Sequence, residues 1–161
     1  MSVVTNTGPL IALAKINKLD LLEELFSKAY IPPAVQRELL AKSGPETSRL
    51  EFALNHFLQP TSEPQMPLEV QTATSRLDLG EQQAVALAYQ LKSLLVLDDQ
   101  LGRSAARQLG LAVTGFAGVL IQAKKRGLIS SVGVLLEEAR EQGHWLSNSL
   151  VDTARQLAGE V

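Results

Sequence analysis

Short apolar runs and amphipathic segments alternate along the chain, and this alternation predicts an α/β fold. β-Branched and apolar residues predict strands at 2–5, 29–31, 94–97 and 111–114. The run at 94–97 is entirely apolar, which is typical of a parallel strand covered on both faces. We therefore expect an α/β sheet with helices on both sides.

Apolar residues at helical spacing predict helices in the segments between and after these strands. The predicted helices lie near residues 10–14, 19–26, 33–40, 50–57, 80–91, 101–109, 117–125, 132–140 and 148–157. Either Asn6 or Thr7 is expected to cap the first of them. Three prolines in residues 59–67 (QPTSEPQMP) predict a connecting loop within a single domain spanning 1–161.

Composition narrows the range of functions. The formal net charge of −2 argues against a basic clamp for nucleic acid, so chemistry on a phosphodiester would require a metal ion. The chain has no cysteine, which excludes disulfides, thiolate zinc sites and cysteine nucleophiles. His56 and His144 have no partner at ligand spacing and are assigned no role, and Trp145 is expected to cover a core edge rather than to bind a base. No apolar run is long enough for a membrane span, and the N-terminus lacks the basic start of a signal peptide, so we expect a cytoplasmic protein.

Polar residues follow two of the predicted strands at the edge where parallel α/β sheets bind ligands. Asn6 comes after the first strand, and Asp98 and Asp99 come after the apolar strand at 94–97. Glu81 opens the helix before that strand, and Glu38 lies on the helix after Pro32 and Pro33; these two complete the candidate set. Clustered carboxylates repel one another unless a cation lies among them, and their hard oxygens suit Mg²⁺ or Mn²⁺.

Each of these residues also has a simpler structural explanation. The Asp98–Asp99 pair is suited to capping the helix that follows, and Glu81 complements a helix dipole. Glu38 resembles an ordinary solvated residue, and Asn6 a helix cap. The basic run Lys124, Lys125 and Arg126 ends a helix, where cations are favoured electrostatically, and is a weaker candidate for touching phosphates.

The segments VVTNTGPLIALAKI, PPAVQREL, LDLGEQQAVALA and LLVLDDQLGRSAARQLGLAVTGFAGVLIQAKKRGLI together resemble the PIN-domain superfamily. They are most similar to the branch of VapC-type toxins from bacterial toxin–antitoxin pairs. The resemblance implies a three-layer α/β/α fold around a mainly parallel sheet. It also implies an Mg²⁺- or Mn²⁺-dependent ribonuclease that hydrolyses RNA with a metal-bound water, a cognate antitoxin partner and a homodimer.

The resemblance also assigns roles to individual residues. Glu38, Glu81 and Asp99 match the family's acidic positions, Asp98 is an adjacent extra carboxylate, and Thr7 is a small polar neighbour of the site. Asn6 stands where the family usually has Asp, which removes one negative charge and puts metal affinity and rate in question. We hypothesise that Asp98 partly compensates for that charge.

Three hypotheses therefore stay open. The first is a metal-dependent ribonuclease in which Arg103, Lys124, Lys125 or Arg126 contacts RNA phosphates. The second is a PIN fold that binds RNA or protein without cutting, as Asn6 and the low basicity would favour. The third is a Toprim-like phosphoryl-transfer fold, against which Gln100 stands where that fold's pattern needs a second Asp.

Overall fold

A computed structural model describes residues 1–160, and at its centre is a five-stranded sheet in which every pairing is parallel. The strands in chain order are β1 (Ser2–Thr5), β2 (Lys28–Ile31), β3 (Leu58–Pro60), β4 (Leu94–Val96) and β5 (Val113–Thr114). Their spatial order is β3-β2-β1-β4-β5. The short strand β1 is therefore central, and β4 lies between it and β5.

Helices connect the strands and cover both faces of the sheet. They are α1 (Thr7–Lys15), α2 (Asp20–Leu25), α3 (Pro33–Ala41), α4 (Thr47–His56), α5 (Leu68–Ala73), α6 (Leu79–Leu91), α7 (Gln100–Gln108), α8 (Phe116–Lys125), α9 (Val132–Glu141) and α10 (Asn148–Leu157). The predicted three-layer α/β/α architecture is confirmed. Within residues 1–160, no helix combines the length and the apolarity needed to cross a bilayer.

Side-chain alternation in the central strands divides the core in two. Val3 and Val4 are both fully buried, yet Val3 packs with α1, α2 and α8 while Val4 packs with α6 and α7. Val96 and Leu97 divide in the same way at the end of β4. This follows from the two-residue period of an extended chain, and it continues into the polar residues beyond the strands.

Two elements of local structure were not predicted, and one of them shortens the predicted loop. The predicted loop at 59–67 begins inside a strand, because Leu58–Pro60 form β3. Pro60 is tolerated there because β3 lies at the edge of the sheet, where one side of the strand needs no hydrogen bonds. The helix α5 was also missed, since its only buried residue is Val70 and one apolar position gives no period.

One carboxylate cross-links the last three helices, in addition to their apolar packing in the core. Glu160 accepts hydrogen bonds from the backbone N–H groups of Val132 and Gly133 at 2.7 and 2.9 Å, and pairs with Lys124 at 2.9 Å. Ser131 donates a further bond at 3.2 Å. A negative charge at the N-terminus of α9 thus links the end of α10 to α8.

Candidate active site

The carboxyl edge of the sheet begins with two residues that follow β1. Asn6 lies beside the end of β4, since its backbone N–H donates to Val96 O at 3.0 Å. It occupies the position before α1, but its side chain forms no capping hydrogen bond, contrary to expectation, so its amide stays available. Thr7 is only 6% exposed, and its hydroxyl has no hydrogen-bond partner among the described residues.

Two helix caps bring Glu81 and Asp99 together at this edge. Glu81 forms a capping box with Asp78: its Oε1 accepts from the Asp78 N–H at 3.2 Å, and its own N–H donates to Asp78 Oδ1 at 2.9 Å. Asp99 caps α7, because its Oδ2 accepts from the Gly102 N–H at 2.8 Å. The structural explanation of both residues is therefore correct, and the caps also fix the direction of each carboxylate.

The two carboxyl groups interact closely enough to change the protonation of Glu81. Burial raises the pKa of Glu81, the hydrogen bond from Asp78 N–H lowers it, and the charges of Asp78 and Asp99 raise it further. A hydrogen bond shared with Asp99 adds to the rise, and the pKa reaches about 7. Because the pKa of Glu81 is raised, a cation bound beside Glu81 would compete with the proton of this carboxyl group near neutral pH.

Glu38 reaches the same region from α3. A Cβ built on Gly80 would collide with the Glu38 Oε1 atom, so this carboxylate lies directly against the first turn of α6. The approach depends on Gln83, which is buried and accepts the Ala34 N–H at 2.8 Å through its Oε1. The role of Gln83 was not predicted from the sequence, although a glutamine on the otherwise apolar face of α6 indicates a buried polar contact.

Asp98 points to different partners from those of Asp99. Its Oδ1 accepts the Phe116 N–H at 2.9 Å and lies against Gly115, while the Arg103 side chain donates to the neighbouring Leu97 O at 3.2 Å. Burial of the carboxylate raises the pKa of Asp98, and the Phe116 N–H, His144 and Arg103 oppose that rise. Strand alternation thus sends adjacent aspartates to opposite sides of the sheet.

The basic run at 124–126 lies at the far end of α8 from Asp98. Ten helical residues separate the two ends, a distance of about 15 Å at 1.5 Å per residue. Lys124 is held by its ion pair with Glu160, whereas Lys125 and Arg126 are exposed. The structure therefore does not bring this run to the carboxylates.

The donor atoms at this edge are of the kind that hard divalent cations bind. Glu81, Asp99 and Glu38 offer carboxylate oxygens, and Asn6 offers an amide oxygen. The raised pKa of Glu81 reflects burial and the nearby negative charges of Asp78 and Asp99, and the Thr7 hydroxyl has no hydrogen-bond partner among the described residues. Across residues 1–160, however, no three His, Cys, Asp or Glu side chains converge closely enough to form a complete metal site. These oxygen donors suit Mg²⁺ or Mn²⁺, and the carboxyl groups of Glu81 and Asp99 already lie close to each other.

Two aromatic residues differ from their sequence-based interpretation. Trp145 does not cover the core, because it is 83% exposed. His144, to which no role was assigned, packs edge-on against the Phe116 ring with centroids 5.5 Å apart. Burial lowers the pKa of His144, the Asp98 charge opposes this, and the Lys15 charge adds to it.

Comparison with known proteins agrees with this geometry. A family model described as a PIN domain matches residues 2–160. No curated protein matches the chain.

Proposed function

The chain belongs to the PIN-domain family, whose members are typically nucleases, and we propose that it is an Mg²⁺- or Mn²⁺-dependent ribonuclease. The observation that carries the proposal is the Glu81–Asp99 pair, held by two helix caps at the carboxyl edge of the sheet. PIN domains imply a nucleic-acid substrate, and the net charge of −2 makes a cation necessary for phosphate to approach this acidic edge.

Each residue of the edge has a separate task in this proposal. Glu81 and Asp99 would hold the cation, and Glu38 would complete the carboxylate set from α3. Asn6 would contribute a neutral amide oxygen, which can bind a cation or orient a water. A bound divalent ion supplies a water of lowered pKa and offsets negative charge on the phosphoryl oxygens.

Thr7 and Gln83 would act by positioning. The Thr7 hydroxyl is buried with no partner beside Asn6, so it is free to donate to a neighbouring oxygen when substrate is present. Gln83 holds the start of α3 against α6 and thereby keeps Glu38 close to Gly80. Asp98 would contribute its charge from outside the pair, because its Oδ1 is already engaged by Phe116 N–H.

The cellular role is proposed on the resemblance of the quoted segments alone. We propose that the protein is a cytoplasmic toxin, restrained by a cognate antitoxin, and that it forms a homodimer. Induced expression should then arrest growth, and substitution of Asp99 should relieve the arrest. Light scattering during size-exclusion chromatography should give twice the 17.4 kDa chain mass.

A second function is favoured by two observations. Asn6 replaces the family's usual Asp, and no three His, Cys, Asp or Glu side chains among the described residues are grouped closely enough to hold a metal ion. These features suit a PIN fold that binds RNA or a protein without cutting it.

Cleavage of a fluorogenic single-stranded RNA distinguishes the two functions. The nuclease proposal expects a signal with Mn²⁺ or Mg²⁺ that disappears on addition of EDTA. Metal-independent cleavage, or RNA binding with no cleavage under any condition, would contradict it.

Restoring a carboxylate at position 6 should strengthen metal binding. We expect Asn6→Asp to bind Mn²⁺ about tenfold more tightly, because it adds a full charge at the edge that holds Glu81 and Asp99. Isothermal calorimetry measures the change. Asn55→Asp adds the same charge on an exposed face of α4 and should leave the affinity unchanged. Equal affinities for Asn6→Asp and the parent would remove Asn6 from the proposed site.

A methyl group at Gly80 should displace Glu38 without unfolding the protein. The Glu38 carboxylate is the flexible end of an exposed side chain, so Gly80→Ala should cost little stability. We expect Mn²⁺ affinity to fall roughly tenfold, as for groups that orient metal ligands. Gly8→Ala is the matched control in the first turn of α1, where a Cβ meets nothing within 4 Å. Unchanged Mn²⁺ affinity in Gly80→Ala would exclude Glu38 from the site.

A further inference from the structure

The loop between α9 and α10, residues 142–147, lies near Asp98, which follows β4 at the carboxyl edge of the sheet. Asp98 Oδ1 accepts the N–H of Phe116, and the Phe116 ring packs against the His144 ring at 5.5 Å with an interplanar angle of 73°. Asp98 beyond β4 thus contacts Phe116, and Phe116 contacts His144. The next residue along the chain is Trp145, whose side chain is 83% exposed.

The loop is held in place by backbone hydrogen bonds. Gly143 has a φ of +91°, which turns the chain at the end of α9, and the His144 N–H donates to Ala139 O at 2.9 Å. The Arg140 guanidinium donates to Leu146 O at 3.2 Å from the other side of Trp145. The position of Trp145 is thus fixed on both sides, and little main-chain entropy remains to be lost on binding.

Open space adjoins the indole, and one basic side chain without an ion pair among the described residues lies near the same loop. A shallow depression of about 430 Å³ is lined by Arg140, Gly143, His144, Trp145, Leu146 and Asn148. The Lys15 ammonium lies 3.9 Å from the position of a Cβ on Gly143. Among residues 1–160, no carboxylate oxygen lies within 4.0 Å of that ammonium. Glu46 and Glu138 line a depression that Lys15 also lines, but neither forms an ion pair with it, so the Lys15 ammonium is available to a phosphate.

We propose that Trp145 is a stacking platform for an unpaired nucleobase of the RNA substrate, with Lys15 contacting the adjacent phosphate. The proposal rests on the proposed function for the identity of the nucleic acid. Stacking on an aromatic face is the usual way in which proteins hold single strands, because every base offers a flat face once it is unpaired. The platform would hold the strand on the Asp98 side of the sheet's carboxyl edge, where a protein of net charge −2 has few other phosphate contacts.

Trp145 is the sole tryptophan of the chain, so its emission reports on this site alone. We expect oligoadenylate, mixed with the protein in Mn²⁺ and followed by stopped flow before cleavage proceeds, to quench the emission to saturation. An abasic oligomer of the same length keeps the phosphates but has no bases, and should leave the emission unchanged. In fluorescence anisotropy with labelled oligoadenylate, Trp145→Ala should bind about 5- to 150-fold more weakly than the parent, the range for loss of one stacked base.

Two further variants separate stacking from general apolar contact. Trp145→Phe retains a flat ring and should bind within about threefold of the parent. Phe52→Ala removes another aromatic side chain, 58% exposed on α4, and should bind as the parent does. Unchanged emission at RNA concentrations that saturate the anisotropy, equal quenching by the abasic oligomer, undetectable RNA binding, or parental affinity in Trp145→Ala would each overturn the proposal.

The outcomes also separate this proposal from the nuclease proposal. If the parent cleaves RNA while Trp145→Ala cleaves with the same KM and the emission does not change, the stacking platform is wrong and the nuclease stands. If the parent fails to cleave but base-dependent quenching occurs, the platform stands and the protein binds RNA without cutting it.

Discussion

Replacing Asp99 by Asn should reduce metal-dependent cleavage of single-stranded RNA by about 100-fold or more, because a lost metal ligand removes several kcal/mol of charge stabilisation. Asparagine preserves the size of the side chain and still accepts the Gly102 N–H through its amide oxygen. The cap of α7 should therefore survive, and the fold with it. Initial rates on a fluorogenic RNA in Mn²⁺, with thermal unfolding of both proteins, measure the effect.

The neighbouring substitution Asp98→Asn is a close control. It makes the same chemical change one residue away, where the carboxylate binds Phe116 N–H and does not meet Glu81. We expect its cleavage rate to stay within about tenfold of the parent. Parental activity in Asp99→Asn, or an equal loss in both variants, would contradict the assignment of Asp99 as the ligand.

The same variant tests whether Asp98 compensates for the charge missing at Asn6. Asparagine at position 98 retains the acceptor for Phe116 N–H, so any change in Mn²⁺ affinity reports on the charge alone. We expect calorimetry to show weaker binding than in the parent, but a smaller loss than in Asp99→Asn. Equal Mn²⁺ affinities in Asp98→Asn and the parent would reject compensation.

The second large effect is expected on stability, at Glu160. Burial alone would raise the pKa of this carboxyl group, but the bonds from Lys124, Gly133 N–H, Val132 N–H and Ser131 lower it to about 2. At pH 7, Glu160→Gln should lose about 2 kcal/mol of unfolding free energy. That figure is below the roughly 3 kcal/mol of the full pKa difference, because the side chain is 17% exposed.

The pH dependence of this loss has a definite sign. The folded pKa of Glu160 lies below its ordinary value of 4.5, so its stabilising contribution is complete above that value and disappears as the pH falls towards 2. Urea unfolding of the parent and Glu160→Gln should therefore differ at pH 7 and converge in acid. Glu141→Gln, on an exposed part of α9, should match the parent throughout. A difference that grows as the pH falls would contradict this assignment.

Much of the fold could be predicted because its signals are local. The apolar run at 94–97 predicts a buried strand, and the spacing of apolar residues in 80–91 predicts a helix. Both elements, β4 and α6, form where expected. The exceptions depend on neighbours. β3 forms because it pairs with the edge of β2, and α5 forms because Val70 packs into the core. Neither contact can be recognised from the sequence of the segment alone.

The candidate site was predictable in composition but not in geometry. The sequence identifies Asp98 and Asp99 equally, since both follow the same strand. Strand alternation then directs Asp98 to α8 and Asp99 to α6, and only the packing of those helices fixes what each aspartate meets. The distance from the basic run at 124–126 to the acidic edge is likewise set by the direction of α8.

The sequence by itself determined the parallel sheet, its two helical layers and the supply of carboxylates at one edge, because these follow from the periods of apolar residues and from residue type. The tertiary structure alone decided that Glu81 lies close enough to Asp99 for its pKa to rise, that Glu38 lies against Gly80, and that Trp145 is exposed. Those outcomes depend on contacts between residues distant in the chain, and such contacts leave no periodic trace in the segments that make them.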